Sequence, residues 1–167
     1  MTRPLVQQLQ LQPHPEGGAF REVWRSPQTL THPATGAPRS ASTAIYFHLA
    51  DDEFSALHEV SSDEIWILLD GGPLELHRIT PDGAHVGVLL RRGDPDEAPN
   101  LMHVVPAGDL QAARPARGAT HVLCACIVAP GFDFQDFRMP PRTELLDRFP
   151  ALAGLVLSLT REAIPHP

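Results

Sequence analysis

Cysteine is scarce in this chain: only Cys124 and Cys126 occur, two apart inside "HVLCACIVA". That excludes a disulfide framework, and on a strand it puts both thiols on one face among small buried residues. No cationic side chain flanks them to lower their pKa, so they read as core and not as a redox or metal pair. Basic charge is also short. The 13 Lys+Arg against 20 Asp+Glu leave a formal net charge of -7, a field that does not attract phosphate backbones or anionic lipid, so the expectation is no nucleic-acid and no membrane partner. Apolar runs long enough to span a bilayer are missing, as is a basic segment leading into an apolar one at the start, and a cytoplasmic location is expected. There is no internal repeat and no low-complexity tract.

What the chain does have is turn chemistry. Its 18 Pro and 12 Gly in 167 residues suggest many tight connections and few long helices. Eight short runs rich in apolar, β-branched and aromatic residues read as strands, at 20–25, 42–49, 54–60, 64–69, 73–79, 84–90, 101–105 and 120–129. Between them lie "LADDE", "DGGP", "TPDGA", "RGDPDEAPN", "PAGD" and "RPARGA", which suit turns. This pattern predicts an all-β sandwich or barrel, of which the jelly roll is one version. "LTHPATGAPRS" reads as an exposed loop, and "GFDFQDF" as a late strand with Phe132, Phe134 and Asp136 on one face. We expect one barrel domain over 1–140, including an N-terminal edge segment, and a helical tail over 141–167 packed on the barrel or on a partner subunit. In that tail Thr143 is the expected cap of a short helix and Pro150 a first-turn residue of the next. Leu152, Leu155, Val156 and Leu159 form its apolar stripe.

The stretch "FSALHEVSSDEIWILLDGG" carries the chemistry. Strand alternation places His58 and Val60 on one face and Glu64 and Trp66 on one face of the next strand. If both faces look into a barrel, an imidazole and a carboxylate converge in an apolar interior, where they can hold a divalent metal or act as a base with its orienting group. Trp66 is either a stacking platform or a core aromatic. The segment "HPEGGAFRE" brings together His14, Glu16, Arg21 and Glu22, with two glycines that permit close backbone approach, and Glu16 or Arg21 is a candidate for the pocket rim. Tyr46 and His48 share a strand face opposite Thr43, Ile45, Phe47 and Leu49, and alternation alone leaves open which face is internal. His32, His77, His85, His103, His121 and His166 have no ligand spacing with one another and read as surface or packing residues.

His58, Val60, Glu64 and Gly71 resemble the first cupin motif, which has HxH, then Glu, then Gly at this spacing. Pro106, Ala107, Gly108 and Gln111 resemble the second motif, PxGxxH, with Gln111 where the family has its last histidine. "HPEGGAFREVWRS", "SDEIWILLDGGPLELH" and "VAPGFDFQDF" extend the likeness to the branch known as cupin family 5, over nearly the whole chain to about residue 150. The resemblance implies a double-stranded β-helix with a central pocket, often dimeric, so a homodimer is expected. It also implies a metal set reduced to His58, Glu64 and Gln111, because Val60 cannot coordinate; a divalent metal would be held loosely, and none is required. Distant cupin relatives include epimerases that use a histidine base and a tyrosine acid.

Three readings therefore stand. The first is a small polar or sugar-like metabolite bound by His58, Val60, Glu64, Trp66 and Gln111, with Glu16, Arg21, Tyr46 and His48 as further candidate contacts. The second is an isomerase- or epimerase-type enzyme with His58 as base and Glu64 as its partner. The third is a metal-dependent enzyme with an incomplete ligand set.

Overall fold

A computed structural model describes residues 3–162. All eight expected strands form: β2 (Ala19–Arg25), β5 (Thr43–Ala50), β6 (Ser55–Val60), β7 (Asp63–Gly71), β8 (Leu74–Ile79), β9 (His85–Leu90), β10 (Met102–Val105) and β12 (His121–Ala129). Five more complete the count, namely β1 (Gln12–Pro13), β3 (Thr29–Thr31), β4 (Pro38–Ser40), β11 (Leu110–Pro115) and β13 (Phe137–Arg138). Helix α1 (Arg3–Gln8) precedes them, and α2 (Arg142–Arg148) and α3 (Ala153–Ser158) follow. The strands make two antiparallel sheets, ordered β1-β2-β5-β12-β7-β10 and β13-β6-β11-β8-β9, with β3 and β4 as a separate ribbon. Two sheets closed over one interior form the jelly-roll architecture expected from the turn spacing.

Strand β11 escapes the sequence pattern for a physical reason. It is central to the smaller sheet and buried on both faces: Leu110 and Ala112 pack outward under the helices, while Gln111 and Ala113 point in. A strand without a wet face has no polar alternation to read. The expected loop "LTHPATGAPRS" is instead the β3–β4 ribbon, pinned by polar anchors. His32 is fully buried with Nε2 2.9 Å from Ser62 Oγ, and its Nδ1 accepts the Ala34 and Thr35 N–H groups. Arg39 donates from Nε (2.6 Å) and Nη2 (2.9 Å) to the buried Asp136 carboxylate, which is therefore a partner in an internal ion pair. The expected late strand over "GFDFQDF" is also corrected. Asp133 Oδ1 accepts the Gln135 N–H and starts a 3₁₀ turn, Phe134–Asp136, that leaves only two residues for β13.

Two apolar clusters hold the layers together. Between the sheets lie Phe47, Leu49, Trp66, Leu68, Leu74, Leu76, Leu90, Val105 and Val122, with Cys124 and Cys126 among them. Burial pushes the Cys124 thiol up to about 12, which agrees with an inert core role. On the outside of the smaller sheet, Leu57, Ile79, Leu110 and Ala112 are covered by Leu145, Phe149, Val156 and Leu159 of the tail. The helical stripe thus covers this sheet. Thr143 does not cap α2, whose N-cap position is Pro141 with no side-chain bond; Pro150 opens a 3₁₀ turn before α3. His166 and the end of the expected tail lie outside the described residues.

Candidate functional site

The interior is packed at one end and open at the other. Along β5, Leu49 is core while Phe47, Ile45 and Thr43 lead out into a cavity of about 240 Å³; along β12, Cys124 is core while Cys126 and Val128 line that cavity. On β7 the change falls between Trp66 and Glu64, and on β6 both His58 and Val60 face the space. Trp66 is the plug beneath it. Its ring meets Phe47 edge-on at 5.5 Å and it is 1% exposed, so it is a core aromatic and not a stacking platform. Its indole N–H donates to Gln111 Oε1 (2.8 Å), and the Gln111 amide donates to Glu64 Oε2 (2.6 Å). Gln111 thus stands behind Glu64 and fixes it, and does not line the cavity.

The "HPEGG" turn supplies the other wall. Gly17 and Gly18 have φ of +112° and +69°, and a Cβ on Gly17 would meet the Phe54 carbonyl oxygen at 2.3 Å, which is why two glycines stand there. This lets Glu16 lie against β6: its backbone oxygen accepts the Ala56 N–H (2.9 Å), and its Oε1 accepts the Ser55 hydroxyl (2.8 Å). Arg161, from beyond α3, donates to the Glu16 carbonyl (2.6 Å) and the Phe54 carbonyl (2.7 Å). Glu16 Oε2 then faces two imidazoles, 3.3 Å from His58 Nε2 and 3.4 Å from His14 Nδ1.

The hydrogen-bond network assigns the protons here. His58 Nδ1 is 2.7 Å from the Ala56 carbonyl oxygen, so it carries the hydrogen and Nε2 presents a lone pair. His14 Nδ1 accepts the Glu16 backbone N–H, so it too presents a lone pair. An acceptor oxygen between two acceptor nitrogens is stable only if it holds a proton. In agreement, burial raises Glu16 to about 8 against the opposing Ser55 hydrogen bond and Arg161 charge. Burial lowers His58, opposed by Glu64 and the Ala56 bond, and burial together with His58 takes His14 down to about 4. Glu64 is raised to about 7 by burial, offset mainly by His58. The result is a buried carboxyl that keeps its proton to about 8, its Oε2 3.3 Å from the His58 Nε2, with a second carboxyl close by titrating near neutrality.

Among the residues singled out from sequence, His58, Val60, Glu64 and Glu16 are brought together on the cavity. Arg21, Tyr46 and His48 are not. They lie on the outer face of the larger sheet, where the Arg21 guanidinium rests 5.9 Å from the Tyr46 ring and His48 stacks on His121 at 5.9 Å. Thr43, Ile45 and Phe47 are the inward set, because that face meets the opposing sheet. Sequence reading missed the phenylalanine walls: Phe20, Phe47, Phe132 and Phe134 all line the cavity. His14 packs among them, edge-on to Phe20 at 4.6 Å and stacked on Phe134 at 6.0 Å. The nearest signal was the phenylalanine in each of "GGAF" and "GFDF", segments that share no strand period.

The family model described as Cupin superfamily (DUF985) matches residues 3–140. The chain belongs to that cupin family. An uncharacterised protein of Saccharomyces cerevisiae is 30% identical over 148 residues, 79% of this chain and 71% of its own. Among solved structures, a hypothetical protein from Leishmania major is 32% identical with a TM-score of 0.87, over 97% of this chain and 99% of its own. A protein from Shewanella oneidensis is 29% identical with a TM-score of 0.85, over 96% and 97% respectively.

The metal that metal-binding cupins imply does not fit this cupin's residues. Of the reduced set, Gln111 has its carbonyl oxygen taken by the Trp66 indole and its amide by Glu64, and His58 has one nitrogen on a carbonyl and the other on Glu16. Val60 offers hydrocarbon. Among the described residues no three His, Cys, Asp or Glu side chains are arranged to hold an ion. Nor is any described helix long and apolar enough to cross a membrane.

Proposed function

We propose that this cupin binds a small polar metabolite in the open end of its barrel, with Glu16, His58 and Glu64 as polar contacts and the phenylalanines as walls. The observation that carries the reading is the cavity itself: an apolar enclosure onto which three buried titratable groups converge, the usual form of a small-molecule site. A volume of about 240 Å³ lies just below the range of about 300–1,000 Å³ usual for drug-sized ligands, which suits a small metabolite. The test is a thermal-shift and ligand-observed NMR screen of small polar metabolites. His58→Ala should abolish each hit; hits that survive it would put the ligand elsewhere.

A second reading, acid–base catalysis of isomerase type, is favoured by the 3.3 Å approach of the Glu16 carboxyl to His58 Nε2 at the cavity. In it His58 Nε2 takes a proton from the ligand and Glu16 returns one, so no net proton is consumed. Solvent-proton exchange into a bound ligand, lost in both Glu16→Gln and His58→Ala, is the expected outcome. A tightly bound ligand that exchanges nothing would leave this cupin a passive binder.

A further inference from the structure

The charge and ring content of the cavity are unbalanced in one direction. Four carboxyl groups line it, Glu16, Glu22, Glu64 and Asp133, against one guanidinium, Arg25. That guanidinium is already committed: Nε and Nη2 donate to both Glu22 oxygens (2.9 and 2.8 Å), and Nη2 also reaches the Phe132 carbonyl (3.1 Å). Asp133 is spent on capping the turn after β12. Neither imidazole supplies a standing cation: burial disfavours the charged form of both, His14 Nδ1 accepts the Glu16 backbone N–H, and His58 Nδ1 lies on the Ala56 carbonyl. No cationic side chain lining the cavity bonds to the deep carboxyls Glu16 and Glu64, and Arg161, from outside it, donates to the Glu16 backbone carbonyl and not to the carboxyl; both carboxyls lie inside walls made by Phe20, Phe47, Phe132 and Phe134. Phenyl faces attract cations and give nothing to anions.

We infer that the ligand of this cavity is a small organic cation, a primary or secondary ammonium whose charged head lies between the phenylalanine rings and the Glu16 and Glu64 carboxyls. The inference rests on the pocket reading above and narrows it to one chemical class. An ammonium N–H would donate to Glu16 Oε2, taking the place of the proton that burial keeps on this carboxyl, and the displaced proton would leave to solvent. Binding of a cation thus releases a proton. An anionic ligand would find no free donor of full charge, and a neutral one would gain hydrogen bonds but no cation–π attraction.

The test uses three near-isosteric probes of differing charge, 2-phenylethylamine, 2-phenylethanol and phenylacetate, titrated into the full chain and followed by protein-observed NMR and calorimetry. The amine should bind about tenfold or more tighter than either of the others, in the range for a desolvated cation on aromatic faces. Its affinity should also rise with pH by up to about tenfold per unit while one proton is being released. Glu16→Gln should flatten that pH dependence above about pH 7 and weaken the amine about tenfold, more than it weakens the alcohol. Phe134→Leu, at the exposed mouth, should weaken the amine more than the alcohol and serves if Glu16→Gln folds poorly. Phenylacetate or phenylethanol binding as well as the amine would overturn the cation class yet leave the pocket reading intact. No binding of any of the three would overturn the cation class, and the pocket reading falls separately if the metabolite screen also yields nothing sensitive to His58→Ala.

Discussion

Replacing Glu16 by glutamine should make the protein less sensitive to alkali. In the folded chain burial holds the Glu16 proton until about 8, whereas the ordinary value of 4.5 applies once the chain unfolds. Between those values the unfolded state binds fewer protons than the folded one, so stability falls as pH rises and levels off above the folded value. His14, held down to about 4, acts in the opposite sense below its ordinary 6.5, so the clean window opens above that value. From about pH 6.5 to about pH 8.5 the Glu16 contribution crosses about one and a half pH units before levelling, at about 1.4 kcal/mol each, or about 2 kcal/mol. Glutamine keeps the geometry of the protonated acid. Its carbonyl can accept from Ser55, and its amide can donate to the lone pair of His58 Nε2, without ever ionising. Urea denaturation of wild type and Glu16→Gln at the two pH values reads the difference, to which the release of Glu64 from the Glu16 charge adds in the same sense. Wild type should lose about 2 kcal/mol more than the variant, roughly 1 M in midpoint for a slope of about 2 kcal/mol/M. Profiles that run parallel would refute a Glu16 that burial keeps protonated into the alkaline range.

Three further outcomes follow from the contacts around the site. Gln111→Leu strips the Trp66 indole and Glu64 of their partners in one step and should lower unfolding free energy by about 2–3 kcal/mol, measured by chemical denaturation; a loss below about 0.5 kcal/mol would mean that the Trp66–Gln111–Glu64 chain is not formed. Gly17→Ala drives a Cβ into the Phe54 carbonyl and the Arg161 guanidinium at a positive φ, and should cost about 2 kcal/mol or more while weakening every pocket ligand. Unchanged melting would show that the turn has another course. Arg161→Ala removes two hydrogen bonds to the Glu16 and Phe54 carbonyls and the contact over the Phe54 ring at 4.2 Å, for a loss of about 2 kcal/mol. Hydrogen exchange should accelerate at the Ala56 amide, whose acceptor is the same Glu16 oxygen, and no acceleration there would separate the tail from the site.

Much of the architecture was legible because strand periodicity and turn residues are local. Eight runs bounded by Gly, Pro and Asp became strands, and His58, Val60 and Glu64, on two consecutive strands of opposite sheets, line one cavity. The ribbon at 29–40 and the turn at 134–136 were not legible in the same way, because His32, Arg39 and Asp133 hold them through side-chain hydrogen bonds that leave no periodic trace. Strand β11 hid for the opposite reason, being buried on both sides.

By itself, then, the chain's order of residues determined which side chains share a face: His58 with Val60, Glu64 with Trp66, Tyr46 with His48. Only tertiary packing decided what each face meets. Thr43, Ile45 and Phe47 turned inward, leaving Tyr46 and His48 outside, because the opposing sheet lies on that side; Trp66 became a plug and Gln111 its link to Glu64 because β11 pairs beside β6. The Glu16–His58 contact joins residues far apart in sequence, and the tail's Arg161 helps to hold it. A pairwise contact across that distance has no period in the chain, and it exists only once the two sheets have closed.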